Sequence, residues 1–305
     1  METLLAAAAL ALAGAVAVGF LGDLHPAFDS VAHFRAHLAA LALLAALPLL
    51  LTPRTRLAGT MAAAVALLGA WTVMPYVLPL QGTPLAAERT LSLLQMNVLA
   101  RSEKTAAMRT VLAHDPDFVT LQEVIDRDLP PEVIERYPHR VVCITTGGMG
   151  LLSRHPFAGE PSCVEGIGFV LARVRVEGRT LTVASQHLRW PWPFAQHRDI
   201  DALAPTLRAI EAPAIIAGDF NAAPWSASVR RYATLAGLNV TPGIGGTWPG
   251  AYGGDATPRL GVAIDHVLTA GVTVTDARTL APTASDHLPV LVRFQPQRDR
   301  AGDAQ

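Results

Sequence analysis

The stretch Ala214-Ile-Ile-Ala-Gly-Asp219-Phe-Asn221 joins an apolar run directly to an acid, an aromatic residue and an amide. A short apolar run of this kind is typical of a buried strand. Burying the side chains of Asp219 and Asn221 at the end of such a strand is costly unless they are paired or used. A plain turn employs the same residue types, so this stretch alone is compatible with a turn as well as with a functional site.

Polar side chains also end other apolar runs along the chain. Each one alone is explained as well by a helix cap or a solvated strand end, but their repetition in order indicates one converging site. Carboxylate and amide oxygens suit Mg²⁺ or Mn²⁺ better than Zn²⁺. The candidate residues are Asn97, Glu123, His187, Asp219, Asn221, Asp265, Asp286 and His287.

Short strand patterns outnumber helical patterns between residues 91 and 294. Helical spacing covers residues 104–114, 197–210 and 226–236. Strands of mixed alternation with a few helices are typical of an α/β sandwich, in which two sheets face each other and the helices lie outside. The predicted strands are residues 91–98, 118–121, 139–145, 150–153, 169–176, 180–186, 214–217, 264–268 and 288–294.

Seven motifs occur in a fixed order: Gln95-Met-Asn97, Gln122-Glu123, Leu152-Ser-Arg-His-Pro156, His187, Gly218-Asp-Phe-Asn221, Ile264-Asp-His266 and Ser285-Asp-His-Leu-Pro289. With this set the chain resembles the endonuclease/exonuclease/phosphatase superfamily over about residues 91–294. The resemblance implies a four-layered α/β sandwich, with two mixed β-sheets packed face to face between outer helices. It also implies Mg²⁺-dependent hydrolysis of a phosphoester, and says little about the substrate.

The resemblance also implies roles for individual residues. Glu123 would be the principal ligand of Mg²⁺ (or Mn²⁺), supported by Asn97 and by Asp286. A divalent ion neutralises the charge that grows on the phosphoryl oxygens.

The catalytic roles follow from the same resemblance. Asp219 would position or deprotonate the attacking water, and Asn221 would hold a phosphate oxygen. His287, oriented by Asp265, would stabilise the transition state or transfer a proton. His187 would face the leaving group, although no clear carboxylate upstream in the sequence orients it.

Residues 1–84 differ from the rest in carrying only six charged side chains. Apolar runs there predict a transmembrane region with spans at about residues 4–21, 36–52 and 57–80, or two spans if the short middle run does not cross. A cleaved signal peptide is the alternative for the first run. Residues 85–295 are predicted to form the catalytic domain, and residues 296–305 a polar tail.

The charges of the loops predict a multi-pass protein of the cell membrane with an extracytoplasmic catalytic domain. Residues 52–56 carry two arginines and no acid, whereas residues 22–37 carry Arg35 against Asp23 and Asp29. The more basic loop is expected in the cytoplasm. Cys143 and Cys163 are compatible with a disulfide in an oxidising compartment or with two buried free thiols.

A net charge of −1 does not favour a nucleic-acid partner. The anchor and the segment His187-Leu-Arg-Trp-Pro-Trp-Pro193 resemble actinobacterial membrane proteins of the teicoplanin-resistance type, which implies a lipid-linked phosphoester such as a polyprenyl pyrophosphate. Trp190 and Trp192 either enter the membrane interface or pack their own loop. A metal-dependent nuclease and a non-catalytic binding protein remain the alternatives, and the sequence leaves the oligomeric state open.

Overall fold

The structure, a computed structural model, describes residues 1–80, 90–144, 147–250 and 257–297. The predicted start of the catalytic domain at residue 85 lies outside the described residues. Most of the predicted polar tail, from residue 298 onward, lies outside them too.

The N-terminal region is a bundle of helices held together by small side chains. Helix α1 (Glu2–Val18) continues as a 3₁₀ turn to Leu21, and α2 (Pro26–Ala32), α3 (Arg35–Leu50) and α4 (Arg56–Val77) follow. Alanines let the helix backbones approach closely, while leucines such as Leu44 and Leu67 point outward. One buried cluster comprises Ala9, Ala13, Ala46, Leu49 and Ala62.

Two of these helices are long and apolar enough to cross a membrane, the one ending at Leu21 and α4. The predicted middle span, residues 36–52, begins and ends slightly earlier, as the 16-residue helix α3. Because about 20 residues are needed to cross a bilayer, α3 meets the requirement only together with α2, from which it is bent by 64°. The described residues therefore hold two candidate spans, or three if the bent pair is one span.

Twelve strands form two six-stranded sheets in the described part of the chain. The first sheet has the order β11-β12-β1-β2-β4-β3, and the second has the order β5-β6-β7-β8-β10-β9. The strands are β1 (Leu91–Asn97), β2 (Phe118–Gln122), β3 (His139–Cys143), β4 (Met149–Ser153), β5 (Ser162–Val164), β6 (Gly168–Val176), β7 (Arg179–His187), β8 (Ala214–Asp219), β9 (Asn239–Val240), β10 (Asp265–Ala270), β11 (Val272–Thr279) and β12 (Val290–Pro296).

The sheets pack face to face and helices cover their outer faces, which confirms the predicted four-layered sandwich. The inner core contains Phe118 from the first sheet and Ile215 from the second. Helices α5 (Thr105–His114) and α6 (Pro131–Arg136) cover the first sheet, and α7 (Gln196–Arg208) and α8 (Ala227–Ala236) cover the second.

Each sheet contains one parallel strand pair, and these two pairs position the site. The chain passes through α5 between β1 and β2, and through α7 between β7 and β8. Ligands bind at the carboxyl ends of such parallel strands in many α/β folds. The register aligns His187 with Asp219, and Asp219 with Asp265, across three neighbouring strands of the second sheet.

The structure contains elements that the sequence patterns did not predict, namely α6, β5, β9, β11 and a short helix at Thr257–Leu260. It also pairs the two cysteines as a disulfide, one of the two alternatives left open by the sequence. Cys143 ends β3 and Cys163 lies in β5, with Cα atoms 6.0 Å apart. The disulfide therefore joins the outer strands of the two sheets.

The helical bundle packs directly against the sandwich. Both carboxylate oxygens of the buried Asp29 accept N–H groups at the start of α8, from Ala227 at 2.6 Å and Ser228 at 3.0 Å. The indole N–H of Trp225 donates to the carbonyl of Ala32 at 2.6 Å. A carboxylate at a helix N-terminus satisfies backbone donors that lack partners within the helix. Helix α2 thus acts as a cap for a helix of the catalytic domain.

Candidate active site

Asn97 and Glu123 lie at the carboxyl ends of the first parallel pair. The Asn97 amide nitrogen donates to Oε1 of Glu123 and to Oδ2 of Asp219, each at 3.0 Å. The backbone N–H of Ala100 donates to Oε2 of Glu123 at 2.7 Å. Glu123 has a φ of 59°, a conformation uncommon for residues other than glycine. The turn after β2 therefore holds its carboxylate in a fixed position.

Hydrogen bonds keep the Glu123 carboxylate ionised. Burial raises the pKa of Glu123, but the donors Ala100 and Asn97 outweigh this effect, so its pKa lies below the ordinary value. Hydrogen bonds to the charged form of a carboxyl group favour that form. Glu123 is consequently a charged oxygen ligand in a half-buried position.

Asp265 and His287 form a buried acid–imidazole pair. Nδ1 of His287 lies 2.9 Å from Oδ2 of Asp265, whose other oxygen accepts from Gln95 at 3.0 Å. Nε2 of His287 lies 3.7 Å from Oδ2 of Asp219. Burial lowers the pKa of His287, but the charges of Asp265 and Asp219 outweigh this and raise it to about 10. His287 is therefore an imidazolium at neutral pH, held by Asp265.

Asp219 is the carboxylate at the centre of the site. Burial raises the pKa of Asp219, the charge of Asp265 adds to this, and the result is above the ordinary value despite the nearby imidazoles. The backbone N–H of Asn221 donates to its Oδ1 at 2.8 Å. Asp219 thus has a raised pKa, and it faces both His187 and His287.

His187 is the second imidazole beside Asp219, and it approaches the same carboxylate oxygen as His287. Its Nε2 lies 3.6 Å from Oδ2 of Asp219. Its buried Nδ1 has no hydrogen-bond partner among the described residues. This agrees with the absence of an orienting carboxylate in the preceding sequence.

Asn221 and Asp286 complete the candidate set. The Asn221 amide donates to the carbonyl of Leu188 at 2.8 Å. Oδ2 of Asp286 accepts from the indole of Trp248 at 3.3 Å, whereas its buried Oδ1 accepts no hydrogen bond from the described residues and lies 4.0 Å from Nε2 of His287. Asp286 thus has a carboxylate oxygen that could bind a ligand.

All eight predicted residues come together at one open pocket of about 470 Å³. Asn97 and Asp265 lie behind the pocket wall and contact the residues that line it. The other six line it directly: Glu123, His187, Asp219, Asn221, Asp286 and His287.

Further polar residues support the site without having been predicted. Gln95 donates to Gln122 at 2.7 Å as well as to Asp265, and Ser285 donates to the carbonyl of Asn97 at 2.6 Å. The ammonium of Lys104 donates to the carbonyls of Val98, Leu99 and Ser102, which shapes the loop that brings Ala100 to Glu123. The glutamines precede Asn97 and Glu123 in the quoted motifs, and that position is the signal that could have identified them.

One recognised motif serves the fold and not the pocket. Arg154 donates to Asp117 at 2.8 Å, and Nε2 of His155 lies 2.9 Å from the same oxygen. Asp117 directly precedes β2 and also accepts from Ser92 at the start of β1. These contacts lie at the end of the strand pair opposite to Glu123.

The donor set fits a divalent cation. The Asn97 amide nitrogen lies between the Glu123 and Asp219 carboxylates, where a cation would also be stabilised, and Asp286 offers an oxygen that accepts no hydrogen bond from the described residues. Oxygen ligands of this kind suit Mg²⁺ or Mn²⁺. By distance, Asp219, Asp265 and His287 form a second possible group, with one ligand atom from each lying within 4.8 Å of the others.

Comparison with known proteins supplies a family for this site. Residues 94–287 match the Endonuclease/Exonuclease/phosphatase family. The catalytic domain is similar to an endonuclease/exonuclease/phosphatase structure from Beutenbergia cavernae, with a TM-score of 0.56 and 22% identity over 69% of this chain and 72% of that one. It is also similar to one from Bacteroides vulgatus, with a TM-score of 0.55 and 15% identity over 69% of this chain and all of that one (100%).

A sequence relative is the UPF0294 protein of Yersinia pseudotuberculosis, 33% identical over 104 residues. The match covers 32% of this chain and 36% of the relative. The chain thus matches only about a third of the length of that relative, and the structural neighbours, all under 25% identical, establish the fold alone.

Proposed function

The chain belongs to the Endonuclease/Exonuclease/phosphatase family, and from this premise we propose that it is a membrane-anchored, divalent-metal-dependent phosphoester hydrolase. The observation that carries the proposal is the row of His287, Asp219 and His187 beside the charged Glu123 in one pocket. A proton acceptor and proton donors thus lie next to a cation-binding carboxylate, the combination that hydrolysis of a phosphoester needs.

Glu123, Asp286 and Asn97 would hold the metal ion. Glu123 is charged, and Oδ1 of Asp286 accepts no hydrogen bond from the described residues. Asn97 would present its amide oxygen by rotating about its last bond, which breaks the hydrogen bond that this oxygen accepts from the N–H of Leu99 at 3.0 Å. When bound, Mg²⁺ or Mn²⁺ supplies positive charge to the phosphoryl oxygens. The group of Asp219, Asp265 and His287 is less suited to that role, because Nδ1 of His287 already hydrogen-bonds to Asp265.

The remaining residues carry the proton transfers. Asp219, whose pKa is raised, accepts a proton from water as the water oxygen forms a bond to phosphorus. His287, kept as an imidazolium by Asp265, stabilises the negative charge of the transition state. Asn221 holds a phosphate oxygen, and His187 donates a proton to the leaving oxygen as its bond to phosphorus breaks.

Several features support placement of the catalytic domain outside the cytoplasm. The guanidinium of Arg35, at the start of α3, reaches the end of α1 at the carbonyl of Gly19 and lies near the end of α4 at Thr72. These ends adjoin the sandwich, so the linker with Arg54 and Arg56 lies at the far end of the bundle. Basic loops favour the cytoplasm, and the Cys143–Cys163 disulfide is typical of an oxidising compartment.

A lipid-linked pyrophosphate is the substrate class that we propose. The guanidinium-bearing residues Arg101 and Arg189 both line the pocket, and Arg101 has no ion-pair partner among the described residues. A cation in this position suits a second phosphate group. The anchor would keep such an enzyme at the surface where lipid-linked substrates occur.

The test is turnover by the full chain in detergent with Mg²⁺, offered polyprenyl pyrophosphate and plasmid DNA separately. Phosphate release from the lipid is expected, and it should disappear with EDTA and in the Asp219→Asn and His287→Gln variants. DNA cleavage with the same controls would instead identify a nuclease. Absence of turnover with both substrates, in a protein that is folded and metal-loaded, would favour the non-catalytic alternative.

A further inference from the structure

Large apolar side chains are exposed on the loop that lines the pocket and in the short helix Thr257–Leu260. Trp190 and Phe194 line the pocket, and Trp192 lies between them in the chain. Trp192 is 50% exposed, and Leu260, in the short helix Thr257–Leu260, is 70% exposed. Together these four residues, here named the apolar rim, are far more exposed than side chains of this size usually are.

Packing of the loop accounts for only part of the apolar rim. The rings of Trp190 and Trp248 meet edge to face with centroids 6.0 Å apart, so Trp190 packs over the pocket. No ring contact involves Trp192 among the described residues. Trp192 and Leu260 thus remain as exposed apolar groups whose placement the packing of the sandwich does not explain.

Two hydrogen bonds join the apolar rim to helices α2 and α3 of the N-terminal bundle. The hydroxyl of Ser30, in α2, donates to the carbonyl of Trp192 at 3.1 Å. Nε2 of His37, in the first turn of α3, lies 2.7 Å from the carbonyl of Leu260. The two contacts join the backbone of the apolar rim to α2 and to the first turn of α3.

The segment between α1 and α3 lies at the end of the helical bundle that contacts the sandwich. Helix α1 with its 3₁₀ turn ends at Leu21, and α3 begins at Arg35, so residues 22–34 lie at one end of the bundle. Leu24 and Phe34 of this segment are exposed as well. Exposed aromatic and aliphatic residues at helix ends are typical of the membrane–water interface.

We propose that the apolar rim lies in the surface of the bilayer leaflet next to the catalytic domain, so that the pocket takes the phosphate headgroup of a lipid directly from that leaflet. This inference rests on the proposed function and deepens it. The lipid chain stays in the bilayer, and Trp192 and Leu260 bury apolar surface there. The bilayer surface is the occupant because the apolar rim contacts α2 and the first turn of α3, at the end of the bundle where Leu24 and Phe34 are also exposed.

The position of the apolar rim can be measured without any enzymatic activity. The two native cysteines form a disulfide, so a fluorophore can be attached selectively to a Leu260→Cys variant of the full chain. The matched control is Leu112→Cys on α5, where Leu112 is 38% exposed and outside the pocket lining. The labelled proteins are placed in nanodiscs of phosphatidylcholine and phosphatidylglycerol.

Doxyl-labelled phosphatidylcholine should quench the fluorophore at position 260 at least about twice as strongly as the one at position 112, and aqueous iodide should show the reverse order. Equal quenching at the two positions by both agents would overturn the placement of the apolar rim.

Kinetics then test whether the apolar rim serves substrate capture. In Trp192→Ser and Leu260→Ser variants, KM for a polyprenyl pyrophosphate in vesicles should rise about tenfold, because apolar surface buried in the bilayer is lost. Turnover of a short-chain, water-soluble pyrophosphate should stay within about twofold of the wild type, and Leu112→Ser should change neither reaction.

Equal losses on both substrates in both rim variants would overturn capture from the leaflet. Failure of the wild type on every phosphoester would instead refute the proposed function, while the quenching experiment would still decide where the apolar rim lies.

Discussion

The two parallel strand pairs have the same topology and deliver carboxylates of opposite character. Glu123 follows β2 in a half-buried position and receives two hydrogen bonds, which lower its pKa. Asp219 ends β8 in full burial beside Asp265, and its pKa is raised. The pKa of Glu123 is thus lowered and that of Asp219 is raised. The difference arises from burial and hydrogen-bond donors, and not from the strand pattern.

Asn97 joins the two halves. Its amide nitrogen donates to both carboxylates, so the charged Glu123 and the proton-accepting Asp219 lie on either side of one side chain. Pairs of titratable groups whose environments separate their pKa values are typical of acid–base sites. The comparison therefore supports the proposal that Glu123, at the end of β2, binds the cation and that Asp219, at the end of β8, accepts the proton.

The largest expected effect comes from removing the proton acceptor of the second half. An Asp219→Asn variant should lose roughly 10³- to 10⁴-fold in kcat, because general-base catalysis contributes about that much. Metal affinity, measured by Mn²⁺ electron paramagnetic resonance, should change far less. A large loss of Mn²⁺ affinity with little loss of kcat at saturating metal would assign Asp219 to the metal site and break the comparison.

A variant of Glu123 should affect metal binding more than proton transfer. Glu123→Gln keeps the size of the side chain but removes its charge, so the affinity for Mn²⁺ should fall. At low metal concentration the activity should fall by at least about 10²-fold. Excess Mn²⁺ should restore part of the activity, whereas it should not restore Asp219→Asn. If the metal affinity of Glu123→Gln equals that of the wild type, the ion is held elsewhere.

Much of the site was accessible from the sequence, because polar residues at the ends of apolar runs are conspicuous. Gly218-Asp219 and Ser285-Asp286 could be recognised because they occur in order with the other motifs, and the strand and helix patterns indicated the sandwich. Strand β11 could not be recognised, since its edge position leaves it half exposed and weakens the apolar alternation. The contact of Asp29 with α8 was equally hidden, because it joins residues almost 200 positions apart.

The difference in pKa between Glu123 and Asp219 could not be predicted from the sequence for a similar reason. Both Glu123 and Asp219 end apolar strands, and only the folded structure reveals that Ala100 donates to one while Asp265 crowds the other. Such effects depend on distances between segments far apart in sequence. Sequence therefore predicts which residues meet, and the structure is needed for their protonation.

The two histidines that face Asp219 differ from each other in a similar way. His287 is held by Asp265, whereas Nδ1 of His187 has no partner among the described residues. Because an unheld ring is less well oriented, His187→Gln should reduce kcat by roughly 10²-fold, at the low end for acid–base catalysis, and His287→Gln by more. With substrates whose leaving group has a low pKa, the loss of kcat in His187→Gln should be smaller, whereas the loss in His287→Gln should not change. An equal loss for every leaving group would remove the proton-donor role of His187.

The smallest effect concerns stability at the far end of the first strand pair. Burial raises the pKa of Asp117, but hydrogen bonds from His155, Arg154 and Ser92 outweigh this and lower it. A carboxyl group with a lowered pKa stabilises the fold above its unfolded-state value and loses this contribution as the pH falls through its folded-state value. Asp117→Asn should therefore reduce the free energy of unfolding by about 1–2 kcal/mol at pH 7.

As the pH falls through the lowered folded-state pKa of Asp117, the difference between Asp117→Asn and the wild type should shrink and then vanish, because both side chains become uncharged. Urea unfolding in detergent, followed by near-ultraviolet circular dichroism, measures the difference, with the exposed Asp126→Asn as control. A gap that persists unchanged at low pH would mean that Asp117 acts through shape and not charge. Unchanged kcat in Asp117→Asn would confine charge-dependent chemistry to the carboxyl end of the strand pair, where Glu123 lies.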